Sequence, residues 1–463
     1  MAFRAAWLLV LYLCALAAHA IPPPLEARGR PVLPEKDPFY IPPEGYEKAA
    51  PGEILRSREV PYPIAAFTTF RINLAGAYQL LYRSSDNFGK PTATVTTVLV
   101  PHKADYNKVV SYQVAEDAAS INCAPSYALQ LKSATGGPFG TIVTQAELLL
   151  MIAALEKGWV VTVPDFEGPK GAFLANVRAG YAVLDGIRAT LASTKITGVN
   201  CKARVTMWGY SGGSLASGFA AELQPAYAPE LKIAGVALGG TVPKISTVIG
   251  SINKSIFTGL IPGGIIGLSR EYPVVESILR TQIKEEKKEK FMKADNQCFG
   301  ANILTYAFDD MYAYLKDPDI LNLEYVTEIL DYNSMGSHVP KIPVLIYKAK
   351  NDVISPWNET VAIFDRYCAG GADVEFRTDL TADHASGTIT GAPQAMIWLD
   401  ERMRGIPVEK GCSKETQLTG LLEPGALRGD VLDNNPRSFL IFLGKPVGKQ
   451  SGRYLELAGP ITY

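Results

Sequence analysis

The spacing of the apolar residues predicts an α/β fold with a mostly parallel central sheet and an inserted helical cap. Three observations carry this. From residue 145 onward, segments with apolar residues three and four apart alternate with short runs rich in β-branched residues, as in a parallel sheet whose strands are joined by crossover helices. The alternation stops between about residues 241 and 340, then resumes, which marks an insertion. A glycine-flanked serine joins one of the strands directly to a helix.

Taken in chain order, residues 1–20 hold a single charge, Arg4, an apolar run and then Ala18-His19-Ala20, the pattern of a cleavable secretory signal. The apolar run is too short to span a membrane comfortably, and no later stretch supplies 18 uninterrupted apolar residues, so a secreted, extracellular protein without a transmembrane segment is expected. Residues 21–52 contain nine prolines and read as an extended arm or pro-segment. Residues 53–240 form the first part of the core. A hairpin is expected from 77–83 and 92–101 around Ser-Ser-Asp-Asn-Phe-Gly, and a third strand from 108–114 (KVVSYQV).

A helix over 145–157 stopped by Gly158, a strand over 159–163, a helix over 176–193, a strand over 204–208 (RVTMW), a helix over 213–222 and a strand over 233–238 follow. Residues 241–340 are the cap. Within it, 256–268 (IFTGLIPGGIIGL) either lines an acyl site, meets lipid, or is simply the cap's own core; its Gly and Pro content argues for mobility rather than a rigid helix. Residues 341–411 complete the core with strands 342–349 (IPVLIYKA) and 374–378 and a helix over 392–403. Residues 412–463 show no clear period beyond 438–443 (SFLIFL).

Charge and cysteine content narrow the function. The chain carries 45 basic and 46 acidic side chains; without Arg4 the balance is 44 to 46, about −2, and no basic tract of five or more occurs, so no nucleic-acid partner is expected. The run 284–290 mixes both signs as a solvated helix face does. Five cysteines remain after residue 20: Cys123, Cys201, Cys298, Cys368 and Cys412. Export allows disulfides, the odd number leaves a thiol over, and the spacings do not assign the pairs. None of the spacings suits zinc, and neither a metal nor another cofactor is expected. Asn253 and Asn358 open N-glycosylation patterns.

The chemistry points to one place. Gly209-Tyr210-Ser211-Gly212-Gly213 is the single G-x-S-x-G in the chain, and it lies between a strand and a helix, the setting of a nucleophile elbow and hence of an α/β-hydrolase fold. A serine hydroxyl needs a base, usually a histidine oriented by a carboxylate. The order serine, acid, histidine leaves His384, because His19 and His102 precede the serine and His338 precedes the strand that should deliver the acid. Asp352 directly follows that strand and is the candidate acid. Asp365, Asp373 and Asp379 fall in a helix, a turn and a strand end, and Asp383 adjoins the histidine itself. An oxyanion hole needs the Gly212 amide and a second donor from the loop after 108–114; Glu116 and Asp117 stand there, and as side chains they could equally be cap or surface acids.

With these residues the sequence resembles the fungal secretory lipases of the lipase A type, through residues 37–58, 116–129 and 164–171 (PDFEGPKG), the elbow, and the blocks around Asp352 and His384. The resemblance implies a triad of Ser211, Asp352 and His384, and the Asp117 and Gly212 amides as oxyanion donors. It also implies disulfides Cys123–Cys298 and Cys368–Cys412 and a C-terminal segment able to act as a flap. Cys201 is then left as a buried thiol. The implied activity is a cofactor-free carboxylic ester hydrolase working through an acyl-enzyme, first of all a triacylglycerol lipase acting as a monomer on ester substrate at a lipid–water interface. An esterase that removes an acetyl group from a secondary metabolite such as a trichothecene is the close alternative. A non-catalytic secreted binding protein is a third reading, against which the three triad candidates speak.

Overall fold

The computed structural model describes residues 29–67, 69–137, 139–422 and 445–449. The signal-like residues 1–20, the run 438–443 and most of the C-terminal segment lie outside them. The strands are β1 Ile54–Glu59, β2 Ala65–Ala66, β3 Phe70–Arg71, β4 Gly76–Ser85, β5 Pro91–Val100, β6 Asp105–Gln113, β7 Trp159–Pro164, β8 Arg204–Tyr210, β9 Ile233–Gly239, β10 Val344–Ala349, β11 Val374–Asp379 and β12 Cys412–Gln417. All but the β2–β3 pair share one sheet in the order β1-β4-β5-β7-β6-β8-β9-β10-β11-β12. From β7 to β12 the neighbours are parallel. At the other margin β1, β4 and β5 join antiparallel, with β4–β5 as the expected hairpin.

The central strands read as continuous apolar runs because both faces of the sheet are covered. Successive residues point to opposite sides: Val205, Met207, Val236, Leu238, Val344 and Ile346 pack with the helices Asn176–Ala192 and Gly212–Tyr227. Trp208, Tyr210, Ala237, Leu345 and Tyr347 pack with Leu148–Glu156 and Ala392–Arg404 on the other side. Strand ends and crossover helices are therefore forced to meet along one crest of the sheet, where ligand sites of such folds lie.

Between β9 and β10 the chain leaves the sheet for a run of helices, among them Ile245–Ile252, Leu260–Ser269, Pro273–Gln282, Phe299–Tyr306 and Glu324–Tyr332. They enclose a core of their own, including Ile261, Ile266, Val275, Phe291, Tyr306 and Leu330. A buried ion pair, Arg178 to Glu271 at 2.6 Å, and the Asn333 side chain, which accepts from the Asn176 amide at 2.9 Å, fasten this insert to the sheet layer.

Several expectations need correction. The stretch 256–268 runs into the helix Leu260–Ser269, and two of its glycines serve contact rather than mobility: a Cβ on Gly267 would lie 2.4 Å from the Phe173 carbonyl oxygen and one on Gly259 2.3 Å from that of Asn302. The helix over 145–157 is two, Ile142–Ala146 and Leu148–Glu156, with Glu147 at the break, where its carboxylate accepts from the Ala115 amide at 2.9 Å. The described part of the proline-rich arm is not extended. Short 3₁₀ turns at Pro34–Lys36 and Pro38–Tyr40 dock Phe39 against Leu81, Ala93 and Val95, and the Arg58 guanidinium lies 4.0 Å above the Phe39 ring while reaching Asp37 at 2.7 Å. Cys201 is exposed, not buried, because the turn after Gly198 carries it clear of the sheet. β12 is a strand the periodicity does not reveal.

Candidate active site

The site is built on the step from β8 into the helix Gly212–Tyr227. Ser211 sits at φ 53° and ψ −122°, a strained conformation for a residue with a side chain. Its amide is fixed by the Gly239 carbonyl of the adjacent strand at 2.9 Å. The flanking glycines are required sterically: a Cβ on Gly213 would meet the Gln113 carbonyl oxygen at 1.9 Å, and one on Gly209 would meet that of Gly213 at 2.3 Å. The turn thus lifts the hydroxyl off the sheet and aims the helix N-terminus, with its free amides and positive dipole end, at the space beside it.

His384 begins the helix His384–Thr390, reached from the end of β11. Its neighbour Asp383 is spent on capping, accepting from the Ser386 amide at 2.8 Å while Ser386 Oγ accepts from the Asp383 amide at 2.9 Å. The Tyr210 hydroxyl donates to the His384 carbonyl at 2.7 Å, tying the histidine to the end of β8. The imidazole Nδ1 lies 2.7 Å from Asp352 Oδ2 and Nε2 2.8 Å from Ser211 Oγ. An ionised carboxylate only accepts, so Nδ1 carries the proton, and neutral imidazole then offers Nε2 as acceptor to the serine hydroxyl.

Asp352 follows β10 with its side chain fully shielded. Oδ1 accepts from the Ile354 and Ser355 amides, each at 2.9 Å, and Oδ2 from the Lys348 ammonium at 2.8 Å as well as from His384. Burial alone would raise its pKa; the charges and hydrogen bonds of His384 and Lys348 outweigh that and hold the carboxyl well below the usual carboxylate range.

Asp117 presents the opposite case. It is buried at a positive φ of 47°, and its Oδ1 stands 1.9 Å from where a Cβ on Gly212 would be. That oxygen has no hydrogen-bond partner among the described residues, and burial pushes the carboxyl up to about 7, against which the His384 charge pulls only in part. Glu116 is buried too, so the surface-acid reading of both is corrected. Three further acids in this region escaped the reading of individual residues: Asp165, raised by burial to about 7, Glu147, raised to about 8, and Glu167, which burial and the Asp117 charge hold well above the usual carboxylate range.

Beside Ser211, Gly212 and Asp117 opens a cavity whose wall is otherwise aliphatic or aromatic apart from Gly264. Phe173, Leu174, Leu215 and Ile354 line it from the sheet layer and the strand ends, and Val242, Ile245, Ile249, Ile252, Ile261, Ile265 and Leu330 from the chain between β9 and β10. These positions were not singled out from the sequence, although the apolar stretch 256–268 contributes Leu260, Ile261, Ile265 and Leu268. Both disulfides named by resemblance are present: Cys123–Cys298 joins the turn beyond Asp117 to the insert, and Cys368–Cys412 joins the helix Trp357–Ala369 to β12. Asn358 is exposed, whereas Asn253 is half-buried and uses its amide on Asp310 at 3.0 Å and on the Met311 amide at 2.8 Å.

A parallel sheet with antiparallel margin, covered on both faces and bearing a strained serine at a strand–helix elbow, defines an α/β-hydrolase. The likeness to known proteins agrees with this and narrows it. Residues 133–411 match the family model described as secretory lipase. The chain is 53% identical over 428 residues to Lipase A of Arthroderma benhamiae, covering 91% of this chain and 90% of that one, and 39% identical to Lipase 1 of Candida albicans, covering 90% and 89%. Its fold matches the X-ray structure of Candida antarctica lipase A with a TM-score of 0.79 at 29% identity, over 91% of this chain and 99% of that one. The chain belongs to the secretory lipase family and is an ester hydrolase.

Proposed function

We propose that the protein is a secreted triacylglycerol lipase working through an acyl-enzyme on Ser211. The observation that carries this reading is the hydrogen-bonded line Asp352–His384–Ser211 ending at the mouth of an apolar cavity. Ser211 Oγ attacks the ester carbonyl while His384 Nε2 takes its proton, and Asp352 holds the ring and balances the imidazolium. The Asp117 and Gly212 amides receive the negative oxygen, aided by the helix N-terminus. His384 then returns the proton to the leaving alcohol, and a water molecule repeats the sequence to free the acid. The cavity takes the acyl chain, since a wall of this composition rewards apolar length and offers a polar headgroup nothing. The relatives named as lipases support the same assignment. Export through residues 1–20, action as a monomer at a lipid–water interface, and a glycan on Asn358 complete the proposal. Asn253 is the weaker acceptor because its amide is engaged.

The test is an ester series from acetyl to long acyl, with emulsified triacylglycerol included, on the wild type and Ser211→Ala. Turnover should favour long chains and fall about 10⁵-fold or more in Ser211→Ala, as when a serine nucleophile is removed elsewhere. Preference for acetyl esters with no action on the emulsion would replace the lipase by a short-acyl esterase; full activity of Ser211→Ala would require another nucleophile.

A further inference from the structure

We infer that Lys348 is a positioning residue of this site, whose positive charge beside Asp352 sets how far into acid the hydrolase keeps working. The inference rests on the triad reading above. Lys348 is the one charged residue of β10, a strand otherwise of Val, Leu, Ile, Tyr and Ala. Its side chain is entirely shielded from solvent, as is that of Asp352. A buried ammonium is costly unless it is paired and hydrogen-bonded, so its retention calls for a partner that gains from it.

Both are found at the triad. The ammonium donates to Asp352 Oδ2 at 2.8 Å, the same oxygen that accepts from His384 Nδ1, and to the Thr241 carbonyl at 2.7 Å. Thr241 follows β9 by two residues, next to the Gly239 carbonyl that fixes the Ser211 amide, and its hydroxyl accepts from Ser214 Oγ in the elbow helix at 3.3 Å. Lys348 thereby ties the acid turn after β10 to the strand end that seats the nucleophile.

The charge has a separate consequence from the tie. Besides Lys348 and Asp352, the titratable groups facing this cluster are His384 with its neighbour Asp383, Tyr210 at the end of β8, Tyr347 on β10 and Asp117 after β6. Of these, Lys348 is the cation held against Asp352: burial pulls its pKa down, and the Asp352 carboxylate at 2.8 Å opposes that loss. With the ammonium, Asp352 and neutral imidazole make a buried set of zero net charge, and a proton arriving on the imidazole at rest creates an unbalanced positive charge. Without it, the Asp352 carboxylate alone would favour that resting proton, and the carboxylate itself would be easier to protonate. The first withdraws the free base as pH falls and the second removes the carboxylate that orients it, so both move the acid limb of activity in the same direction.

The experiment measures kcat/KM against pH for a soluble ester with wild type, Lys348→Met and Lys348→Gln, after circular dichroism and thermal melting confirm folding. Methionine keeps length without charge; glutamine keeps a donor without charge, and serves should the methionine variant not fold. The acid limb is expected to move up by about one pH unit or more in both, the size of a close opposite-charge effect. Loss of kcat/KM by one factor at every pH, with the limb unmoved, would overturn the inference and leave Lys348 a structural tie only. Ser211→Ala in the same buffers keeps the two readings apart: residual activity there would defeat the nucleophile assignment whatever the lysine variants do.

Discussion

Asp352, after β10, and Asp117, after β6, are both shut away from solvent and both feel His384, yet they are driven to opposite protonation states. Asp352 receives four donors, two backbone amides, an ammonium and an imidazole, and stays ionised far into acid. Asp117 leaves Oδ1 unpartnered among the described residues and is raised to about 7. Burial is common to the two; the supply of donors decides. Asp352 is thus held negatively charged, and Asp117 is held neutral in weakly acid solution, beside the place where the proposed mechanism develops negative charge on the substrate.

Breaking the Asp352 side should cost most. Asp352→Asn keeps the shape but removes the charge that fixes the Nδ1 proton and balances the imidazolium, and should lower kcat about 10⁴-fold in steady-state assays, as for the equivalent change in serine proteases. Gly212→Ala attacks the Asp117 side sterically. Its methyl would fall 1.9 Å from Asp117 Oδ1, so the buried carboxyl must turn away and disturb the proposed oxyanion pair, and a loss of up to about 10²-fold in kcat/KM, the scale of one lost oxyanion donor, is expected.

The buried acids with raised pKa make a stability prediction with a definite sign. Asp117 and Asp165 are carried up to about 7 and Glu147 to about 8, so the folded chain holds these protons more tightly than the unfolded one. That stabilisation is complete below the usual carboxylate range and is lost as pH rises through about 7 to 8; Tm followed by calorimetry should fall over this interval. Asp352 acts the other way, but only below the ordinary carboxylate range, where its depressed pKa takes effect. The smallest effect is expected from Asp117→Asn. An amide mimics the neutral acid, so kcat/KM near pH 5 should change by less than about tenfold while the fall of Tm with pH becomes shallower. A 10³-fold loss of activity at pH 5 would show that the ionised carboxylate is needed and would erase the contrast with Asp352.

The sequence made one half of this contrast readable. Ser211, His384 and Asp352 could be reached by motif, chain order and strand position, and the strands β7 to β11 by their β-branched runs, because burial on both faces leaves a plain apolar signature. Lys348 was visible as a charge inside IPVLIYKA, four residues before the acid, but a lysine near a strand end is ordinarily solvated, and its turn toward Asp352 is a tertiary fact. Asp117 acts in the proposed mechanism through its main chain, which no side-chain pattern encodes. β12 (CSKETQ) escaped because it lies at the sheet margin with mostly exposed, polar side chains, and pairing with β11 alone makes it a strand. The glycines of 256–268 misled for a related reason: composition does not distinguish a residue kept small for freedom from one kept small for contact.

The Cys123–Cys298 bond adds a mechanical constraint. Cys298 immediately precedes the helix Phe299–Tyr306 of the insert, and Cys123 closes the turn that follows Asp117 by a few residues. The insert and the chain that follows β6 are therefore joined covalently near Asp117. Elsewhere the insert is held to the sheet layer by the Arg178–Glu271 ion pair and the Asn176–Asn333 hydrogen bond, which can part and re-form where the disulfide cannot.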